Sequence, residues 1–280
     1  MSKAKRVAIV ANEADAAAMA AASKLRLWAR EVGGVDVFPL RGDRSSAADL
    51  TPDLVVALGG DGTILRAVRE LGSWEAPILG VKFGRLGFLS GAPSAELMTA
   101  TAAALEGRTA VEARALLEVS AWAGAEKDAR LLGSWTALNE AVVGRGTRPG
   151  VVTTRLLIDG HEIYTQTGDG LIAATATGST AYALSAGGPV LSPGYGGMVL
   201  VALASHTLVS RAIVTAPDDE VRITLPDSTR AAASLIIDGE NVLDDFSFAD
   251  IHISERTVSL VKLDGRLFFD TLAAEFFRNP

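Results

Sequence analysis

Leu54-Val55-Val56-Ala57-Leu58-Gly59-Gly60-Asp61-Gly62-Thr63-Ile64-Leu65 joins an apolar run to a glycine-rich turn and then to a helical pattern. Residues 54–58 read as a buried strand, and Ile64, Leu65, Val68 and Leu71 follow at helical spacing. Gly59, Gly60 and Gly62 therefore sit where a strand ends and a helix begins. Glycine there lets the backbone approach a ligand closely and take positive φ. The free N–H groups of the helix start face an anion, usually a phosphate. Asp61 puts a carboxylate inside that turn, where it would repel a phosphate unless it had another task. Holding a substrate hydroxyl, accepting its proton, or holding a metal ion between charges are the available tasks, and all point to phosphoryl transfer. The plain alternative is a tight turn, since Gly-Gly and Asp-Gly are common turn pairs. Neither GxxxxGK[ST] nor GxGxxG occurs, so neither of those nucleotide folds is indicated by motif.

The 280 residues suit one large or two modest domains with ample core. A formal charge of −7 argues against wholesale binding to nucleic acid or anionic membrane. A phosphate-handling site must then be built locally, from backbone N–H groups, a few basic residues and a metal ion. The absence of cysteine excludes disulfides, thiolate catalysis and Cys-based zinc sites, and fits a cytoplasmic protein. His161, His206 and His252 lack metal-ligand spacing. Val7 to Ala11, after Lys3, Lys5 and Arg6, is too short for a signal-peptide core. Met198 to Ala204 is too short for a membrane span.

The first third alternates strand and helix. Val7–Ala11, Val35–Leu40, Leu54–Leu58 and Pro77–Val81 are strand candidates. An alanine-rich helix is expected from about Asp15 to Val32, with Met19, Ala22, Leu25, Trp28, Ala29 and Val32 on one face and Gly33-Gly34 ending it. Another opens at Pro93-Ser94 and ends near Gly107. Such alternation implies a Rossmann-like α/β domain with a parallel sheet, whose ligands bind beyond the carboxyl ends of the strands. From Glu112 the period changes to two. Asp159-Gly160 is a hairpin signal between Arg155–Ile158 and Glu162–Tyr164. The pairs Val221/Ile223, Ile251/Ile253 and Val258/Leu260 alternate as well. The expected organisation is α/β plus β. An N-terminal α/β domain covers 1–111, a β-rich, sandwich-like domain covers 112–263, and a tail helix at Thr271–Phe277, within 264–280, returns to the first domain.

Further polar groups stand out in this frame. Thr175-Ala176-Thr177-Gly178-Ser179-Thr180-Ala181-Tyr182 gathers hydroxyls and a glycine before a short helix. It can offer N–H and O–H groups to a nucleotide, with Tyr182 free to stack; the alternative is an ordinary N-capped helix. Asp169, in Thr167-Gly168-Asp169-Gly170, can accept from a ribose or an amide, or be a plain turn. Asn139-Glu140 interrupts an apolar run, so as a buried pair it needs partners; a bulge or an edge facing solvent is the alternative. Gly84-Arg85-Leu86-Gly87-Phe88-Leu89 can bring backbone to a ligand, with Arg85 toward phosphate, or be a surface turn.

The ordered set GGDGT, GRLGFL, LNE, GDGLI, TGSTAYALSAGGP and IDGE resembles the NAD kinase family, bacterial type, over nearly the whole chain. GGDGT alone is shared with diacylglycerol-, sphingosine- and phosphofructo-kinase relatives. TGSTAY followed by SAGGP after LNE is far more specific. The resemblance implies an N-terminal α/β domain, a β-rich C-terminal domain and an NAD site between them, in homodimers or homotetramers. It implies phosphoryl transfer from ATP, with Mg²⁺, or in some members from polyphosphate, to the 2′-hydroxyl of the adenosine ribose of NAD. Carried over, Asp61 would hold and help deprotonate that hydroxyl. Gly59, Gly60, Gly62 and Thr63 would shape the phosphate turn. Asn139, Glu140 and Asp169 would hold ribose or nicotinamide-side groups, and Thr177, Thr180, Ala181 and Tyr182 the adenine side. Phe88 would be an apolar wall, and Asp238, in Ile237-Asp238-Gly239, would sit near the reacting end. No residue is assigned as a metal ligand.

The chain departs from the family pattern at Lys82, Ala176, Ala202 and Ala212, where Asn, Pro, Pro and Pro are usual. A missing proline at Ala176 leaves φ unfixed in the nucleotide loop. Two other readings compete with the first: a kinase with another hydroxylated acceptor, and an NAD(P) sensor without turnover. Retention of TGSTAY argues against a lipid acceptor, and retention of Asp61 with Asn139 and Glu140 argues against a sensor.

Overall fold

The computed structural model describes residues 4–40, 51–72, 75–84, 87–146, 149–206, 211–227, 233–263 and 268–277. The chain divides into two compact units. One is Met1–Ala113 with Val258–Pro280, and the other is Arg114–Thr257.

The first unit contains β1 (Lys5–Ala11), α1 (Ala16–Val32), β2 (Val35–Pro39), β3 (Leu54–Leu58), α2 (Asp61–Leu71), β4 (Ile78–Lys82), β5 (Ala92–Pro93) and α3 (Leu97–Leu105). It also holds the start of β6 (Ala110–Ala123). β1 lies parallel to both β2 and β3, and β3 parallel to β4, giving the order β2-β1-β3-β4. Every residue of β3 is buried, as expected of a central strand covered on both faces. The order reverses direction between β1 and β3. In such a sheet that switch point opens a crevice at the carboxyl ends of the strands.

α1 begins and ends where the sequence says. The Asp15 carboxylate accepts from the N–H of Ala17 at 2.8 Å, and Gly33 caps the other end at φ +66°. Its buried face is Ala18, Ala21, Ala22, Leu25 and Ala29. Met19 and Val32 are 42% and 53% exposed, so the expected face is corrected. In an alanine-rich helix, contact with the sheet chooses the stripe, and small side chains allow the closer approach.

The second unit carries the rest of β6, then β7 (Arg130–Ala137), β8 (Glu140–Gly144), β9 (Val152–Ile158), β10 (His161–Gly168) and β11 (Gly170–Thr175). After them come α4 (Tyr182–Ser185), β12 (Met198–Leu203), β13 (Ile213–Val214), β14 (Val221–Thr224), β15 (Ser234–Ile237), β16 (Glu240–Asp244) and most of β17 (Phe248–Lys262). One antiparallel sheet runs β13-β12-β11-β8-β15-β16. The strands β10, β9, β14 and β17 pair antiparallel in that order in another. Leu156, Val221, Ile223 and Ile251 of the second sheet share one core with Val143, Leu171, Leu200 and Leu235 of the first, as in a sandwich. Asp159 (φ +50°) and Gly160 (φ +76°) make the β9–β10 turn. The last helix, α5 (Phe268–Phe276), belongs to the first unit.

Candidate functional site

In the first unit the glycine turn stands at the end of β3. The Gly59 N–H donates to Val81 O (3.0 Å), and the Asn12 N–H donates to Leu58 O (2.9 Å). Gly59 takes φ +154°, and a Cβ there would lie 2.2 Å from Thr63 Oγ1. Only glycine lets the chain turn so sharply onto its own helix. Gly60 and Gly62 differ, because a Cβ on either would meet no protein atom within 4 Å. Their bareness serves no packing purpose and leaves the rim open. A cleft of about 310 Å³ is lined by Asn12, Gly60, Gly62, Thr63 and Arg66. Gly60 is the N-cap of α2 and supplies no side-chain bond to the helix N–H groups. The helix start thus presents donors and partial positive charge to an anion.

Asp61 is the first residue of α2. The Ser90 hydroxyl, in a residue 3% exposed, donates to Asp61 Oδ1 at 3.2 Å. Gly87 lies over the carboxylate, and a Cβ at Gly87 would come within 2.4 Å of both Asp61 oxygens. The GFLS segment therefore holds the carboxylate from above and from the side. The ring of Phe88, expected as a ligand wall, stacks on Phe276 (5.9 Å) and lies tilted against Phe268 (5.8 Å), both in α5. Arg85 lies outside the described residues.

The second unit gathers the remaining groups. Asn139 and Glu140 form the entry to β8, an interior strand between β11 and β15 rather than a solvent-facing edge. Asp238 reaches them across the sheet. Its carboxylate accepts from the N–H of Leu138 (2.8 Å), Asn139 (2.7 Å) and Glu140 (3.1 Å), and its own N–H donates to Glu140 O (3.0 Å). Glu140 is 7% exposed, and its Oε2 has no hydrogen-bond partner. Burial, and then the Asp238 charge, push its carboxyl up to about 7, against a smaller opposing effect of the Tyr182 backbone N–H.

The hydroxyl-rich segment leans on the same strand entry. The Thr175 hydroxyl donates to Leu138 O at 2.6 Å, and the Gly178 N–H donates to Thr175 Oγ1 at 3.1 Å. A Cβ on Gly178 would lie 2.1 Å from Asn139 O, so the short turn Gly178–Thr180 needs glycine to sit this close. The hydroxyls expected to face a nucleotide also bond within the protein. Thr180 Oγ1 donates to Thr177 O (3.2 Å), and Thr177 Oγ1 accepts from the buried Arg114 guanidinium (3.3 Å). Ala181 is partly buried and precedes α4, whereas Tyr182 is 48% exposed and available to stack.

Asp169 pairs with Arg145 through Oδ1 (2.8 Å) and Oδ2 (3.3 Å), which holds its carboxyl below the usual range. Sequence reasoning missed Arg145, Arg114, Asn12, Arg66 and Ser90. A signal existed for Arg114, a lone cation inside an apolar alternation, and for Arg145, set between Gly144 and Gly146.

A strand-turn-helix carboxylate in an α/β unit, joined in one chain to a β-sandwich whose strand entry carries a half-buried Asn and a buried Glu, defines a class of nucleotide-handling phosphotransferases. Residues 40–109 match the ATP-NAD kinase N-terminal domain, and residues 138–263 match the ATP-NAD kinase C-terminal domain. The chain is 37% identical over 239 residues to the NAD kinase of Bordetella parapertussis, covering 82% of this chain and 77% of that one. It is 39% identical over 236 residues to the NAD kinase of Bordetella avium, covering 81% and 76%. Among solved structures, an NAD kinase from Archaeoglobus fulgidus in complex with ATP aligns with TM-score 0.74 at 26% identity, over 96% of this chain and 97% of that chain. Yeast NADH kinase complexed with NADH aligns with TM-score 0.81 at 23% identity, over 100% and 90%, and shows the shared fold. The chain belongs to the NAD kinase family.

Proposed function

We propose that the protein phosphorylates NAD on the 2′-hydroxyl of its adenosine ribose, with ATP as donor and NADP as product. The observation that carries this reading is Asp61, oriented by Ser90 beneath Gly87, at the mouth of an uncapped helix start whose glycine rim is open. The carboxylate would bind the attacking hydroxyl and take its proton as the bond to the γ-phosphorus of ATP forms and the bond to the departing ADP breaks. A carboxylate is a weak base for a sugar hydroxyl. A loose phosphoryl-transfer transition state asks for placement more than base strength. The α2 N–H groups and Arg66 would face the donor phosphates. Asn139, Glu140, Asp169, Thr177, Thr180, Ala181 and Tyr182 would hold the NAD nucleotide.

Among the described residues no three acidic or histidine side chains converge as a metal cage. Magnesium would enter as the counter-ion of the ATP phosphates, near Asp61. Bound there, it would supply charge neutralisation on the transferred group. No described helix is long and apolar enough to cross a membrane. We place the enzyme in the cytoplasm as a homodimer or homotetramer.

The test is product identity. Wild-type protein is incubated with NAD, Mg²⁺ and either ATP or polyphosphate, and the product is read by ³¹P NMR and by an NADP-specific dehydrogenase. A 2′-monophosphate ester on NAD is expected with ATP. Phosphorylation of another hydroxyl, or tight NAD binding without product from any donor, would overturn the assignment.

A further inference from the structure

We propose that Asp238 is a positioning residue whose carboxylate gathers the backbone N–H groups of Leu138, Asn139 and Glu140, and so sets how the Asn139 and Glu140 side chains are presented to NAD. This deepens, and rests on, the reading of the site as an NAD kinase acceptor site. The resemblance implies that Asp238 sits near the reacting end, and its hydrogen bonds add this positioning work.

Leu138 and Asn139 lie in the bend between β7 and β8, outside the strand ladder. Their N–H groups therefore need a partner from elsewhere. Asp238 supplies it at 2.8 and 2.7 Å, from about a hundred residues along the chain. A carboxylate accepting several backbone N–H bonds forms strong, charge-assisted contacts. The residue stands at φ +46° with Gly239 at φ +85°, in the turn from β15 to β16. A turn alone would not require this. Asp159-Gly160 makes the corresponding β9–β10 turn with φ +50° and +76°, and its carboxylate takes the single N–H of Glu220 at 2.9 Å. Asparagine can serve such a turn, but it offers one acceptor oxygen, and its NH₂ group would oppose the second set of N–H donors.

The clamp also places one negative charge beside another. Glu140 faces Asp238 and the Tyr182 backbone N–H from within a largely desolvated setting, and the Asp238 charge disfavours its ionised form. Holding the strand entry and tuning Glu140 are two consequences of one placement, and they give separate readouts.

The experiment compares full-length wild type with Asp238→Asn and the shorter Asp238→Ser. Amide hydrogen exchange of residues 138–140, ¹³C NMR titration of the Glu140 carboxyl, and steady-state kinetics are followed. Wild-type Leu138 and Asn139 amides are expected to exchange slowly, and fast exchange in the wild type would overturn the clamp without any variant. In Asp238→Asn, protection at 138–140 should fall and the Glu140 midpoint should move to lower pH. KM for NAD should rise by about tenfold or more while KM for ATP stays within about twofold. Unchanged exchange, midpoint and KM in folded variants would overturn the proposal. A merely structural loss would raise both KM values together. If wild type makes no NADP, the functional reading fails, while exchange and titration still decide the clamp.

Discussion

Glu140 enters the folded state 7% exposed beside Asp238, and its carboxyl titrates at about 7 instead of 4.5. Between those values the folded protein keeps a proton that the unfolded chain has released. Stability therefore falls as pH rises from about 4.5 through about 7, and the whole penalty is present above that. At about 1.4 kcal/mol per pH unit of separation, it is about 3 kcal/mol. Glu140→Gln should raise the melting temperature at pH 8 and leave it near wild type at pH 5, while weakening NAD binding. Equal melting shifts at both pH values would contradict a buried, charge-opposed carboxyl. Asp61 and Glu140 were both legible in the sequence, one from its glycine frame and the other as a polar interruption of an apolar run. Their partners were not. Ser90 is 29 residues from Asp61 and Asp238 is 98 from Glu140, and only folding brings such pairs together. For Arg145 the flanking glycines were a local signal, but its partner Asp169 was not, since the pair forms just beyond the neighbouring ends of β8 and β11.

Elements were more legible in their ends than in their faces. Asp15 and Gly33 mark α1 correctly because capping is local chemistry, and Asp159-Gly160 marks its hairpin for the same reason. The buried stripe of α1 depends on contacts with a sheet assembled from distant strands. Leu25→Ala should cost about 2–5 kcal/mol and Met19→Ala less than about 0.5 kcal/mol in denaturant unfolding. A large loss at Met19 would contradict the observed face. The glycine turn allows a sharper test, because Gly62 lies within α2 with open space around its missing Cβ. Gly62→Ala should stabilise the helix by about 0.5–1 kcal/mol, yet raise KM for ATP by intruding on the phosphate rim. A variant that is more stable and kinetically unimpaired would remove this rim from the donor site.

For the whole molecule, the sequence period changes near Glu112, and the compact units meet at Ala113 and Thr257, the second of these six residues before the expected boundary at 263. The parallel α/β unit supplies the carboxylate and helix start suited to phosphoryl transfer, and the sandwich supplies a buried polar strand entry suited to a nucleotide. Assembly belongs to this scale as well. Native mass spectrometry should find a dimer or tetramer, and a monomer at micromolar concentration would contradict the homo-oligomer. Asp61 is proposed to assist transfer to NAD without being needed for the fold. The most direct test measures NADP formation and NAD binding by wild type and Asp61→Asn side by side, with ATP and Mg²⁺. Turnover should fall by about 10²–10⁴-fold, with folding intact and much of the NAD affinity retained. Near-normal turnover in Asp61→Asn would take this carboxylate out of the chemistry and contradict the account.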